Sequence, residues 1–383
     1  MPIKLYISAM FERVLYNTVI SNLEKQKVSI LLGARRVGKT QLLEAIKKAV
    51  NEKCLWLNGE DETVANILAE RSIANYKRLL QGYNLLVIDE AQYIDDIGRK
   101  VKLMIDEIKP LHIIITGSSA FNLQQASEPL VGRTITYEMY PMAQLEIIKT
   151  ENLLQTKEQF DERLIYGSYP EVLVLKTLAE KQQYLNELVN IYLLKDILAF
   201  ENIKSPHKIK DLLVLIAYQI GNEVSVEELG KNLGMSKNTV DRYLDLLSKV
   251  FVIYKRSGFS RNLRKEVVKS NRWYFFDNGV RNALINNFNL LAARTDIGML
   301  WENYCCSERI KRNSYTFNTV NSYFWRTYDQ QEIDLIEEKN NVIEAYEFKW
   351  KEENVKIPVA FHKAYPRALY KTIHQKNYLD FIV

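Results

Sequence analysis

The sequence contains few of the residues that form disulfide bonds or bind structural metals. There are three cysteines, Cys54, Cys305 and Cys306, and four histidines among 383 residues. The last two cysteines are adjacent, which is a poor arrangement for a disulfide bond with each other, so no disulfide framework is expected. No Cys-x-x-Cys pair is present, which argues against a zinc site. This pattern is typical of a reducing cytoplasm.

Long apolar runs are also missing. No stretch approaches the roughly 18–20 apolar residues that span a bilayer, and the opening MPIKLYISAMFERVLY lacks the layout of a secretory signal. We therefore expect a cytoplasmic protein without membrane contact. Hydrophobic residues make up 47% of the chain and charged residues 26%, as in ordinary soluble proteins. The length of 383 residues predicts two to four domains, because one domain takes about 100–200 residues.

A glycine-bounded loop separates an apolar run, VSILLG, from a helical pattern, TQLLEAIKKAV. The loop reads GARRVGKT, in which glycines let backbone amides approach phosphates and the following helix adds partial positive charge. Lys39 can reach the β- and γ-phosphates, and the Thr40 hydroxyl can bind Mg²⁺. The residues predicted to hold the nucleotide are Gly33, Ala34, Arg35, Arg36, Val37, Gly38, Lys39, Thr40 and Gln41.

Two more apolar runs end in polar residues that suit the same site. NLLVIDEAQYI predicts a buried strand that ends in Asp89 and Glu90, and LHIIITGSS predicts another that ends near Ser118. Asp89 is placed to hold the Mg²⁺ shell, and Glu90 to polarise the attacking water. Ser118 is placed to touch the γ-phosphate or the water. A structural role at the strand end is the alternative for Ser118.

The segments GARRVGKT, LLVIDEAQ, IIITGSS and LVGRTITYEMYPM together resemble the AAA-like P-loop ATPases of bacteria and archaea. The resemblance implies an ATP site. The order of strand, loop and helix, with five strands, predicts a three-layer parallel sheet. The resemblance also implies that Arg133, in Leu-x-Gly-Arg, senses or stabilises the γ-phosphate, in its own chain or in a neighbouring one. The alternative is a surface arginine before a strand.

The segment IYGSYPEVL resembles the Gly-x-Pro motif of the related signal-transduction ATPases. That resemblance implies that Pro170 packs on the adenine from a helical lid. The alternative is a turn that ends a helix. Amphipathic patterns such as EKQQYLNELVNIYLLKDIL favour helices throughout this region.

Helix-turn-helix spacing follows in SVEELGKNLGMSKNTVDRYLDLLSKV. Gly234 is predicted to make the turn and Ser236 to cap the second helix. The predicted core positions are Leu229, Leu233, Val240, Leu244 and Leu247. The predicted exposed contacts are Lys237, Asn238, Thr239 and Arg242.

The next segment concentrates positive charge. Residues 255–272 carry seven basic side chains and one acidic side chain, so their net charge of +6 exceeds the +5 of the whole chain. The basic residues are Lys255, Arg256, Arg261, Arg264, Lys265, Lys269 and Arg272. Interleaved with Phe259 and Trp273, they predict the wing of a winged helix that contacts DNA or RNA. A packing module with a solvated charged face is the alternative.

A hairpin is predicted in EIDLIEEKNNVIEAYEFKW, with Asn340 and Asn341 as the turn. The residue numbers of two directly opposed residues then add up to 681. This places Asp334 across from Glu347, and Lys349 lies on the same face of the hairpin. Two carboxylates and an ammonium group are what a Mg²⁺-dependent phosphodiester hydrolase needs. The pattern resembles the restriction-endonuclease-like fold, with Glu302 matching the acid on its first helix. This predicts a second metal site at Glu302, Asp334, Glu347 and Lys349.

Four segments are expected: a P-loop ATPase core (1–141), a helical lid (142–205), a winged helix (206–284) and a restriction-endonuclease-like α/β domain (285–383). The leading interpretation is a Mg²⁺-dependent ATPase that couples nucleotide state to its C-terminal modules, near nucleic acid, with an oligomer possible. One alternative is a metal-dependent nuclease that ATP licenses. The other is a slow regulatory switch that binds a protein partner.

Overall fold

The computed structural model describes residues 12–23, 27–118, 130–193, 206–260, 271–327, 329–353 and 355–383. Within these ranges no helix is long and apolar enough to cross a membrane. The chain divides into two compact units. The first is Met1–Pro141 with Lys249–Phe251, and the second is Met142–Ser248 with Val252–Val383.

The first unit is an α/β layer structure. Its helices are α1 (Leu15–Leu23), α2 (Lys39–Ala49), α3 (Glu62–Ala69), α4 (Ile73–Leu79) and α5 (Ile97–Glu107). Its strands are β1 (Val28–Leu32), β2 (Cys54–Asn58), β3 (Leu85–Asp89), β4 (His112–Gly117) and β5 (Thr134–Glu138). A short 3₁₀ turn, Ala91–Tyr93, follows β3.

The five strands form one parallel sheet in the order β2-β3-β4-β1-β5. Every residue of β1 and β3 is buried, as expected for parallel strands that helices cover on both faces. The predicted five-stranded parallel sheet is therefore confirmed. Since parallel strands end at one edge, the residues after β1, β3 and β4 lie at the same edge of the sheet.

The second unit begins with helices. They are α6 (Gln144–Ile147), α7 (Leu153–Glu158), α8 (Phe160–Tyr166), α9 (Pro170–Val174), α10 (Leu178–Glu187), α11 (Pro206–Tyr218), α12 (Val226–Leu233), α13 (Lys237–Lys249), α14 (Asn278–Leu284), α15 (Ile297–Tyr315), α16 (Val359–Ala364) and α17 (Tyr378–Ile382). A π-helical segment, Leu188–Leu193, follows α10, and a 3₁₀ turn spans Leu291–Ala293.

The strands of the second unit are β6 (Glu223–Val224), β7 (Ile253–Gly258), β8 (Asn271–Phe275), β9 (Asn321–Arg326), β10 (Glu332–Lys339), β11 (Val342–Phe348) and β12 (Leu369–Ile373). They form one sheet in the order β12-β11-β10-β9-β7-β8-β6. Strand β7 pairs in parallel with β9, through Ser257 opposite Tyr323. One sheet therefore crosses the boundary predicted near 284, because β7, expected in a separate wing, continues the C-terminal sheet.

Candidate functional site

The loop between β1 and α2 depends on two glycines. At Gly33 a Cβ atom would lie 2.1 Å from the carbonyl oxygen of Met139, so no other residue fits without a shift of the backbone. Gly38 has φ +99°, a left-handed conformation that favours glycine, immediately before α2 begins at Lys39. The strand, loop and helix predicted from the sequence follow one another as expected.

The Lys39 ammonium group lies within this loop. The side chain is buried, and Nζ donates hydrogen bonds to the carbonyl oxygens of Gly33, at 2.8 Å, and Ala34, at 2.9 Å. The positive charge is therefore held at the loop, where a phosphate group would sit against the start of α2.

Asp89 joins the loop to the neighbouring strands. Its Oδ2 atom accepts a hydrogen bond from Thr40 Oγ1 at 2.9 Å, and its Oδ1 atom accepts one from Thr116 Oγ1 at 2.5 Å. The carboxylate is buried at the carboxyl edge of the sheet. Hydroxyl and carboxylate oxygens are the ligands that Mg²⁺ prefers, so Thr40 and Asp89 fit a magnesium ion bound with a nucleotide.

Glu90 follows with φ +52°, which is uncommon for a residue with a side chain. Its backbone N–H donates to Thr116 Oγ1 at 3.1 Å. Its Oε2 atom accepts a hydrogen bond from Gln92 Nε2 at 2.5 Å, and the same nitrogen donates to Ser118 Oγ at 3.1 Å. A Cβ atom at Gly59 would lie 2.3 Å from the Glu90 carbonyl oxygen, so a glycine leaves room for this turn.

Two residues that sequence reasoning did not select belong to this site. Gln92 lies in the LLVIDEAQ segment, two residues after Glu90, and this closeness in sequence could have pointed to it. Arg13 had no such signal, because its partners are distant in sequence. The buried Arg13 guanidinium donates to the carbonyl oxygens of Val37, at 2.9 Å, and Tyr140, at 2.8 Å. It ties the phosphate loop to the segment after β5.

The remaining loop residues take different positions. Arg35 Nη2 donates to the Tyr93 hydroxyl at 2.8 Å, and Nη1 lies 3.8 Å from Glu60 Oε1. Arg36 is exposed, with φ +66°. Val37 is fully buried, and Gln41 lies in the first turn of α2.

Arg133 lies at the opposite edge of the sheet from the loop. Its carbonyl oxygen accepts a hydrogen bond from the N–H of Val28, the first residue of β1, whereas the loop follows the last residue of β1. The five residues of β1 span about 16 Å at roughly 3.3 Å per residue. The Nε atom lies 2.7 Å from Asp106 Oδ1. Arg133 therefore does not reach phosphates bound to its own loop.

In the second unit, the hairpin register is as predicted. Leu335 pairs with Tyr346 and Ile336 with Ala345, so opposed residues sum to 681. Both turn residues have positive φ, +51° at Asn340 and +65° at Asn341, as a two-residue type I′ turn requires.

The four predicted C-terminal site residues take partners from the protein itself. Glu302 Oε1 accepts a hydrogen bond from the Tyr274 hydroxyl at 2.6 Å. Asp334 Oδ2 accepts one from the backbone N–H of Phe348 at 2.8 Å. Lys349 Nζ lies 2.9 Å from Glu347 Oε1.

Arg272, predicted to face nucleic acid, lies instead among these acids. Its buried guanidinium is 3.8 Å from Glu302, 3.9 Å from Asp334 and 2.8 Å from Glu332. Burial raises the pKa of Asp334 well above its usual value, and Glu302 and Glu347 raise it further. Burial also raises the pKa of Glu302, against the opposing effect of Arg272.

The divalent-ion site predicted at these acids stays a prediction. Among the described residues, no three or more His, Cys, Asp or Glu side chains are grouped so that they could hold a metal. The guanidinium of Arg272 supplies the positive charge that a metal would bring to Glu302 and Asp334.

Two basic residues of the predicted wing are buried and not exposed as expected. Arg256 is buried and donates to Cys306 Sγ at 2.7 Å, and burial raises the pKa of that thiol to about 12. Of the three described basic residues, only Lys255 is exposed. Phe259 and Trp273, expected between bases, are buried in the second unit. Arg261, Arg264, Lys265 and Lys269 lie outside the described residues.

The helix-turn-helix elements are confirmed. Gly234 has φ +58° at the end of α12, and Ser236 Oγ accepts a hydrogen bond from the Thr239 N–H at the start of α13. The predicted core residues Leu229, Val240, Leu244 and Leu247 are buried, and Leu233 is half-buried. Lys237 is paired with Glu227 at 2.8 Å. The other exposed positions of α13 include Asn238, Asp241, Arg242 and Asp245, which carry both signs of charge.

The Gly-Ser-Tyr-Pro segment binds a buried carboxylate within the second unit. The Ser168 N–H donates to Asp277 Oδ2 at 2.7 Å. Gly167 has φ +73°, and a Cβ atom there would lie 2.0 Å from Asp277 Oδ1. Pro170 is buried and begins α9. The requirement for Gly167 is therefore explained by Asp277, and the adenine contact of Pro170 stays a prediction.

Comparison with known families agrees with the geometry of the first unit. Residues 25–148 match the family model described as "AAA domain". Residues 157–291 and 297–378 match two families described as domains of unknown function, DUF8612 and DUF4143. The AAA-like P-loop domain predicted from the sequence is confirmed over residues 25–148.

Two uncharacterized proteins and one solved structure are among the proteins that this chain resembles. The chain is 25% identical over 333 residues to an uncharacterized protein of Mycobacterium tuberculosis, covering 85% of this chain and 71% of the relative. It is 25% identical over 285 residues to an uncharacterized protein of Haemophilus influenzae, covering 67% of this chain and 69% of the relative. A solved Walker-type ATPase of Pyrococcus abyssi is 16% identical with a TM-score of 0.49, covering 72% of this chain and 96% of that chain.

Proposed function

We propose that this chain, which carries an AAA-like P-loop ATPase domain, binds ATP with Mg²⁺ and hydrolyses it at the carboxyl edge of the five-stranded sheet. The observation that carries the proposal is the hydrogen-bonded path from Thr40 through Asp89 and Thr116 to Glu90. It joins the phosphate loop, which follows β1, to an acid that follows β3, with β4 between these two strands.

Each residue has a distinct task in this proposal. Backbone amides of the Gly33–Thr40 loop and the Lys39 ammonium group bind the phosphates. Thr40 and Asp89 would hold the Mg²⁺, which neutralises phosphate charge when bound. Glu90 orients the attacking water and accepts its proton as the oxygen bonds to the γ-phosphorus and the bond to the β-phosphate oxygen breaks.

The test is steady-state ATP hydrolysis combined with direct nucleotide binding. Lys39→Ala should lose both, and Glu90→Gln should keep binding but lose turnover. Turnover by Glu90→Gln at the wild-type rate would remove Glu90 from this role.

For the C-terminal acids we infer a structural charge cluster rather than a metal centre. Arg272, Tyr274, Lys349 and the Phe348 N–H supply partners to the three predicted acids. This favours the coupled-ATPase or regulatory-switch alternative over an ATP-licensed nuclease, because Arg272 supplies the charge that the metal of a nuclease would bring. Nicking of plasmid DNA with Mg²⁺ or Mn²⁺ and ATP would contradict this assignment.

A nucleic-acid partner rests on fewer residues than the sequence indicated. Arg256 and Arg272 are buried, so contact with phosphates would depend on Lys255 and on the basic residues of 261–270. ATPase activity measured with single-stranded DNA, duplex DNA or RNA tests this partner directly.

A further inference from the structure

Gln92 occupies a position between two residues of the ATPase site. Its Nε2 atom lies 2.5 Å from Glu90 Oε2 and 3.1 Å from Ser118 Oγ. A side-chain amide has two N–H donors on one nitrogen, so both are engaged by these two oxygens. One amide therefore connects the acid after β3 with the hydroxyl after β4.

The backbone around Glu90 is already fixed by other groups. Its N–H is held by Thr116 Oγ1 at 3.1 Å, and the Gly59 N–H donates to the preceding carbonyl, that of Asp89, at 2.8 Å. These bonds set where the residue lies but leave its side-chain rotation undetermined. The hydrogen bond from Gln92 acts on the carboxylate itself, and so it selects the direction in which the carboxylate points.

Ser118 provides a firm second attachment. Its side chain is 1% exposed and follows β4, which lies between β1 and β3 in the sheet. The next residue along the 3₁₀ turn, Tyr93, accepts a hydrogen bond from Arg35 of the phosphate loop at 2.8 Å. The turn that carries Gln92 is thus attached both to the sheet and to the loop.

We propose that Gln92 is a positioning residue for ATP hydrolysis, which anchors the Glu90 carboxylate to Ser118 so that it faces the attacking water. This inference rests on the proposed ATPase function. It also assigns Ser118 a different task from the phosphate contact predicted for it, since its hydroxyl serves as the anchor for the amide.

The physical basis is the cost of losing one hydrogen bond to a charged group. Such a bond is stronger than a neutral one and restricts the acceptor to one geometry. Without it the carboxylate samples several rotamers, and fewer of them orient the water. The loss should appear in kcat and leave ATP binding unchanged, because Gln92 has no predicted contact with the nucleotide.

The experiment compares Gln92→Ala and the similarly sized Gln92→Met with Gln81→Ala, which changes an exposed glutamine in a surface turn. We expect both Gln92 variants to lower kcat roughly tenfold or more while the affinity for a fluorescent ATP analogue stays within about twofold. Gln81→Ala should match the wild type in both measurements. Thermal melting identifies a variant that fails to fold, in which case Gln92→Met carries the comparison.

A double-mutant cycle with Glu90→Gln separates positioning from a general structural effect. If Gln92 acts through Glu90, adding Gln92→Ala to Glu90→Gln should reduce single-turnover hydrolysis by less than about twofold. An equal loss in both backgrounds, or an unchanged kcat in Gln92→Ala, would overturn the inference while the ATPase assignment stands. If Glu90→Gln hydrolyses ATP at the wild-type rate, or if the wild-type protein does not hydrolyse ATP, both the proposed function and this inference are overturned.

Discussion

The guanidinium of Arg272 lies 3.8 Å from the carboxylate of Glu302, joining a strand of the predicted wing to the first long helix of the C-terminal segment. Arg272 also lies 3.9 Å from Asp334 and 2.8 Å from Glu332. A buried ion pair of this kind is costly to break, because the remaining charge is left without compensation. The cluster therefore ties β8, α15 and β10 into one unit.

The first prediction concerns the phosphate loop. Lys39→Ala should abolish both ATP binding and turnover, because the charge and its reach to the terminal phosphates are removed together. Lys48→Ala is a matched control, since Lys48 is exposed on the same helix, α2. Isothermal titration with ATP and Mg²⁺ and a phosphate-release assay measure both effects. Normal ATP binding by Lys39→Ala would contradict the assignment.

The second prediction concerns Arg272. Arg272→Met should lower the free energy of unfolding by about 3–5 kcal/mol, because Glu302 and Asp334 lose their buried positive partner. Arg326→Met removes an exposed arginine that pairs with Glu223 at 3.1 Å, and should cost about 0–1 kcal/mol. Urea unfolding measures both. Equal effects of the two substitutions would show that the Arg272 cluster is not held in the interior.

The third prediction concerns pH. The pKa of Asp334 is raised in the folded state by burial and by Glu302 and Glu347, so its ionisation costs stability as the pH rises. This contribution is absent below the unfolded pKa of about 3.9 and grows as the pH rises through the folded pKa. Asp334→Asn removes the titration, so its stability relative to wild type should increase from about pH 4 upward. Denaturation series across pH measure the difference, and a pH-independent difference would contradict it.

The fourth prediction concerns the basic segment. Arg256→Met should lower the melting temperature, because the buried guanidinium bonds to Cys306, whereas Lys255→Met should leave it unchanged.

Any nucleic-acid binding should fall when Lys255, Arg261, Arg264 and Lys265 are neutralised together. On duplex DNA the log–log salt slope should drop by roughly 0.9 for each phosphate that the protein no longer neutralises. Absence of binding by the wild type at low salt would exclude this partner.

The fifth prediction concerns Arg133. Since it lies at the far edge of its own sheet, a role on the nucleotide requires a second copy of the chain. Arg133→Ala should lower turnover, and mixing it with Lys39→Ala should restore activity, because one copy keeps the loop and the other keeps the arginine. Asp106→Ala is the control that removes the ion pair alone. No recovery on mixing would leave Arg133 as a partner of Asp106 only.

Local patterns predicted the parts of this protein that depend on neighbouring residues. The order of strand, loop and helix around Gly33–Thr40 was readable because glycine conformation and apolar periodicity act within a few residues. The hairpin register followed from Asn340 and Asn341, since a two-residue turn sets which residues are opposed.

Tertiary packing decided which charges are buried and which edge of a sheet a side chain reaches. Arg256 and Arg272 look like solvated bases in sequence, but β7 and β8 join the C-terminal sheet and bring them against Cys306 and Glu302. Arg133 belongs to a motif that resembles one of the AAA-like ATPases, yet it lies immediately before β5, at the opposite end of the sheet from the phosphate loop. The sequence by itself determined the chemistry that follows each strand, because that information is local. Burial and partner choice were settled only by the fold, because they depend on elements tens of residues apart.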